Sequence, residues 1–211
     1  MKKAILILSY FILMLLHTGC NKILLYSYGI RNPKIENQKS LFKYLKKNKL
    51  SNDNNFCLKD TTTFNKLLLQ GISAPEIRFY DHNGYLMIYR NDKRCNGQND
   101  SLITFLDPKN VVKIDSTENI HSYLKQLRMF DGKDINPEDF KNYDYYLITY
   151  WAKWIGKANK TKMDHWNSSI KRKKNLKIKD IKVTADYMDF WVLDKKDMIK
   201  VYSRKSKTEN K

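Results

Sequence analysis

The sequence predicts an α/β fold, a mixed sheet with flanking helices. Three observations predict it. Stretches with helical spacing of apolar residues alternate with short apolar or alternating runs along most of the chain. A hairpin signal, Asn83-Gly84, stands between two such runs. The last third reads strand, helix, strand, which implies a parallel pair joined by a crossover. The length of 211 residues with 42% hydrophobic residues permits a real apolar core, and 7 Gly and 4 Pro exclude collagen-like and Pro-rich chains.

The N-terminus comes first. Met1-Lys2-Lys3 is a short positive region, and the run from Ala4 to Leu16 is apolar apart from Ser9. A membrane span needs about 20 apolar residues, so this run fits the apolar region of a secretory signal better. It ends in Leu16-His17-Thr18-Gly19-Cys20. A small residue directly before a Cys at this place resembles the lipobox of bacterial lipoproteins. The resemblance implies removal of residues 1–19, acylation of Cys20 and a place in the cell envelope, in the periplasm or on the outer surface. The other readings are a plain secretory signal and an uncleaved short anchor. Removal of residues 1–19 takes away Lys2 and Lys3 and no acid, and leaves 192 residues with a net charge of +16.

Residues 20–36 read as a tether, broken by Asn32-Pro33. A domain is expected over 37–195 and a charged, disordered tail over 196–211. Leu41, Phe42 and Leu45 mark the first helix, and Ser51 to Asn55 a loop. Phe56-Cys57-Leu58 is a short strand. Thr61-Thr62-Thr63 can cap a helix whose apolar face is Phe64, Leu67 and Leu68. Ile77 to Tyr80 and Tyr85 to Tyr89 form the hairpin, with Asn83 and Gly84 as its two positive-φ residues. Leu102 to Leu106 and Val111 to Ile114 are further apolar runs, parted by Asp107-Pro108. Ile120, Tyr123, Leu124 and Leu127 make a helical stripe that Asp131-Gly132 ends. Asn136-Pro137-Glu138-Asp139 reads as a helix start. Tyr145 to Trp151 is a buried strand, Gly156 to Lys174 a helix with Met163, Trp166 and Ile170 inward, and Leu176 to Val183 the closing strand.

The net charge of +18 invites a nucleic-acid reading. The lysines are dispersed and the N-terminus argues for export, so no nucleic-acid partner is expected. A solvated surface with compositional drift and attraction to anionic lipid remain as explanations. The dense run Lys171-Arg172-Lys173-Lys174 closes a helix, where cations complement the negative end.

Trp151-Ala152-Lys153-Trp154-Ile155-Gly156-Lys157-Ala158 lies between a strand and a helix. It resembles the active-site region of thioredoxin-like proteins, W-A-x-W-C-G-x-C. Trp151, Ala152, Trp154 and Gly156 match, while Ile155 and Ala158 stand in place of both reactive cysteines. Upstream, Ala74-Pro75-Glu76 resembles the segment whose cis-Pro faces the dithiol, although here it precedes the W-A-x-W stretch. The resemblance implies a thioredoxin-like three-layer sandwich, incomplete or rearranged. It implies a surface at Trp151, Trp154, Ile155, Gly156, Lys157, Ala158 and Pro75 that has lost its redox chemistry.

Dithiol chemistry needs a thiolate at a helix start, which Ile155 and Ala158 cannot provide. Once Cys20 is acylated, Cys57 and Cys95 are the two remaining thiols. A structural bridge, two free thiols and a redox-active pair are all open. No cofactor and no metal is expected: His82, His121 and His165 are far apart, and Asp131, Asp134, Glu138 and Asp139 lack a calcium-loop pattern. The expectation is a lipid-anchored, non-enzymatic envelope protein that binds or scaffolds a partner. The alternatives are a thiol–disulfide oxidoreductase using Cys57 and Cys95, and a membrane-surface protein acting through its basic face.

Overall fold

The structure, a computed structural model, describes residues 25–69, 74–88, 98–107, 109–110, 112–194, 196 and 198–199. Cys20, Cys95 and residues 200–211 lie outside them. The strands are β1 (Ile35–Glu36), β2 (Asn55–Leu58), β3 (Glu76–Tyr80), β4 (Tyr85–Met87), β5 (Ile114–Asn119), β6 (Leu127–Arg128), β7 (Tyr145–Trp151), β8 (Ile178–Thr184) and β9 (Tyr187–Met188). The helices are α1 (Gln38–Lys47), α2 (Thr61–Leu69), α3 (Gln98–Phe105), α4 (Ile120–Leu124) and α5 (Lys157–Lys171).

Seven strands form one mixed sheet in the order β5-β4-β3-β7-β8-β2-β6, and β1 pairs with β9 in a small second sheet. β8 runs parallel to both β7 and β2, whereas β3 is antiparallel to β7. The chain is therefore α/β with helices against a mixed sheet, an arrangement compatible with a thioredoxin-like sandwich.

All seven residues of β7 are buried. Alternate residues explain why. Tyr146, Ile148 and Tyr150 join one apolar cluster with Leu41, Phe64 and Leu124, and Tyr145 and Leu147 join another with Ile103 and Trp166. A strand covered on both faces reads as a continuous apolar run, which is the signal its sequence carries.

Several local expectations change. The 81–84 hairpin is a longer loop, in which Gly84 alone is left-handed at φ 82°. Asp81 turns it by accepting the N–H of Tyr85 on its side chain (2.8 Å), and the N–H of Gly84 donates to the Asp81 carbonyl (2.9 Å). Helix α2 is capped by Asp60, whose Oδ1 accepts from the N–H of Thr63 (2.7 Å), not by the threonines themselves. The run at Leu102 lies in helix α3. The stripe from Ile120 stops after α4, because Leu127 and Arg128 pair with β2 instead. Asn136 accepts from the N–H of Glu138 as expected, but the turn it starts, Pro137–Phe140, is a 3-10 helix.

The expected tether is not free along its second half. Residues 28–36 run back over the body and end in β1, where Glu36 pairs with Met188. At the other end, Met198 and Ile199 pack against the core, and the N–H of Ile199 donates to the Tyr187 hydroxyl (3.0 Å).

Candidate functional site

The turn after β7 is assembled by four segments. β7 delivers Trp151 and Ala152, and the 3-10 turn Lys153–Ile155 leads to α5. Gly156 joins the two with φ 63°. A side chain there has no room, since a Cβ would lie 2.4 Å from the Tyr28 carbonyl oxygen. Residues 28–31 thus close over the turn. The N–H of Lys157 donates to the Tyr28 carbonyl (2.9 Å) and the N–H of Arg31 donates to the Trp154 carbonyl (2.8 Å).

Helix α1 braces the turn from the side. The Tyr44 ring stacks on Trp151, centroids 5.7 Å apart and planes within 7°. Its hydroxyl donates to the Gly156 carbonyl (3.2 Å) and accepts from Asn159 Nδ2 (2.9 Å). Asn159, wholly buried, also grips Ala152 at both ends, accepting its N–H (3.2 Å) and donating to its carbonyl (2.5 Å). One α5 side chain therefore fixes where β7 stops.

Beneath the turn lies a buried carboxylate. Asp186 Oδ2 accepts from the N–H of Lys153 (2.7 Å) and from the Thr184 hydroxyl (2.7 Å), while Oδ1 has no hydrogen-bond partner. Burial pushes its carboxyl up to about 7, the two hydrogen bonds pull the other way, and Glu36 adds to the rise. Glu36 is itself buried, with its Oε2 2.5 Å from Lys153 Nζ and accepting from the Ser40 hydroxyl (2.6 Å).

The residues singled out in the sequence divide into two groups. Trp154, Gly156 and Lys157 line a cavity of about 590 Å³, with Arg31, Lys43 and Tyr44 among its other walls. Trp151 and Ile155 are buried (0% and 4% exposed) and Ala158 is half-buried; none of the three lines it. Trp154 is half-buried and donates its indole N–H to the Ala185 carbonyl (3.2 Å). Pro75, half-buried after a cis Ala74–Pro75 bond, opens β3. Because Glu76 pairs with Tyr150, Pro75 comes to the end of β7 that carries the turn, despite the 76 positions between Pro75 and Trp151. It too lies outside the cavity wall.

Cys57 is a buried thiol on β2 with no disulfide partner among the described residues. Its Sγ lies near the carbonyls of Arg128 (3.5 Å) and Met129 (3.4 Å). Through Thr184, which pairs with both Cys57 and Trp151, it sits two strands from the turn. Burial pushes the thiol up to about 12, which disfavours the reactive thiolate at neutral pH. Cys95, its possible disulfide partner, lies outside the described residues, as does Cys20. Among the described residues, no three His, Cys, Asp or Glu gather as metal ligands, and no helix is long and apolar enough to cross a membrane.

Sequence reasoning missed Glu36, Asn159 and Tyr44. Only Asn159 had a usable signal, a polar residue on the same α5 face as Met163 and Trp166. Comparison with protein-family models, curated proteins and solved structures returns no match.

Proposed function

We propose that the chain is a lipid-anchored envelope protein with a redox-inactive, thioredoxin-like body that binds rather than catalyses. The observation that carries this reading is the closure of the turn. Where the resembled family presents a nucleophilic sulfur to solvent, Ile155 is buried, and the backbone of Tyr28 and Gly29 covers one side of Gly156. No thiol is offered there. The meeting of Pro75 with this turn supports the resemblance, and the reversed chain order makes it a rearranged version. The cavity beside the turn is the surface left open for binding.

The oxidoreductase alternative would need Cys57 as a nucleophile, and its burial and raised pKa oppose that. A disulfide-reduction assay on the full chain tests the choice. No turnover above the uncatalysed rate is expected. Turnover abolished by Cys57→Ser would overturn the reading. Intact mass tests the anchor: a chain beginning at Cys20 with added acyl mass is expected, and an unmodified Cys20 would remove that half of the proposal.

A further inference from the structure

The cavity beside the turn is unusually basic even for this chain. Cations outnumber acids by less than two to one in the sequence, 40 against 22. Around the cavity Arg31, Lys34, Lys43, Lys47, Lys153 and Lys157 face one acid, Glu36. That acid is already engaged by Lys153 and Ser40. Among the described residues no carboxylate lies within ion-pair distance of the other five cations.

These cations come from three separate stretches: the strap over the turn, helix α1, and the start of α5. Like charges gathered on a concave wall reinforce one another's potential, at a cost in stability that a bound anion would relieve. The wall also has an aromatic part, Trp154 beside Tyr44. Five cations with no ion-pair partner among the described residues, next to an apolar flank, fit an anion with organic substituents, a phosphoester rather than a bare inorganic ion.

Position in the chain suggests the source. The first lining residue, Gly29, follows Cys20 by nine positions. An acylated Cys20 would hold the cavity within about 30 Å of the lipid surface, since extended chain spans at most ~3.5 Å per residue. We propose that the cavity binds the phosphate-bearing headgroup of an anionic lipid. This deepens the anchored, binding reading above and rests on it.

The test is calorimetric titration of the full chain in nonionic detergent with three probes. These are short-chain phosphatidylglycerol, short-chain phosphatidylcholine and inorganic phosphate. Saturable one-site binding of phosphatidylglycerol is expected, with phosphatidylcholine and phosphate each at least tenfold weaker. The double variant Lys43→Glu, Lys47→Glu should weaken phosphatidylglycerol at least tenfold. Lys113→Glu, Lys125→Glu makes the same charge change at two exposed residues that do not line the cavity. It should leave affinity within twofold.

Absence of saturable binding would overturn the proposal, as would equal losses in the two double variants. Equal affinity for inorganic phosphate would overturn the lipid assignment. Disulfide turnover in the assay above would remove the non-catalytic reading without touching this titration, so the two failures are distinguishable.

Discussion

The molecule builds two tight turns from the same parts and uses them differently. At 81–84 and at 153–156, an aspartate accepts a backbone N–H, from Tyr85 (2.8 Å) and from Lys153 (2.7 Å), and a glycine takes a positive φ of 82° or 63°. In the first turn the aspartate belongs to the turn and is half-buried. In the second it arrives from just past the neighbouring strand β8 and is wholly buried. The glycines differ in the same way. A Cβ on Gly84 would meet the Cγ2 methyl of buried Ile120 at 2.6 Å, but on Gly156 it would meet the carbonyl of Tyr28 at 2.4 Å. One turn is a local device whose glycine faces a side chain of α4. The other is locked from outside by the chain's own N-terminal strap.

The largest effect follows from that difference. Gly156→Ala combines left-handed strain with a clash against backbone, and should cost about 2–5 kcal/mol. It should also release the strap, so residues 28–36 would gain amide exchange. Gly84→Ala carries the same strain and meets a buried side-chain methyl rather than backbone, so its cost should be smaller, about 1–3 kcal/mol. Chemical denaturation of both variants checks the ranking; equal losses would mean that the strap does not hold the Gly156 turn.

The buried aspartate gives the next effect, and its sign is definite. The carboxyl of Asp186 lies at about 7 in the folded chain, above its ordinary value of 3.8. The folded state therefore holds this proton more tightly than the unfolded state. Its contribution is fully present below about pH 4 and is lost as pH rises towards 7, by at most about 4 kcal/mol. Asp186→Asn should flatten stability between pH 4 and 8 and raise it above pH 7. The gain should be about 1–2 kcal/mol, because the new amide brings a donor that needs a partner. Thermal unfolding across that range reads both; an unchanged slope in the variant would show that Asp186 does not titrate there.

How much of this was legible depended on how local each cause is. β7 was readable because burial on both faces writes itself as an unbroken apolar run, and β8 because Ile178, Ile181 and Val183 follow the α5 stripe. The turn was readable because Trp151, Ala152, Trp154 and Gly156 are contiguous. β5 was not, since Asp115, Thr117 and Glu118 give an edge strand with no apolar pattern. The strap was not, because Glu36 is buried only through pairing with Met188, 152 positions later. Nor could the cavity be read: its cations are spread from Arg31 to Lys157 and look like surface charge until α1 and the strap gather them.

The smallest effect separates the strap's charge from its hydrogen bonds. Glu36 raises the Asp186 carboxyl and Lys153 lowers it, and the two are themselves paired at 2.5 Å. Glu36→Gln removes the first influence and keeps a neutral acceptor for Lys153 and Ser40. The fall in stability with rising pH should then shift to lower pH, with a net loss below about 1 kcal/mol at pH 7, where the half-exposed Lys153 regains solvation. Lys153→Met should move the same fall to higher pH. If both substitutions displaced it in the same direction, the strap would be acting on Asp186 through packing alone, and the second turn would differ from the first only in burial.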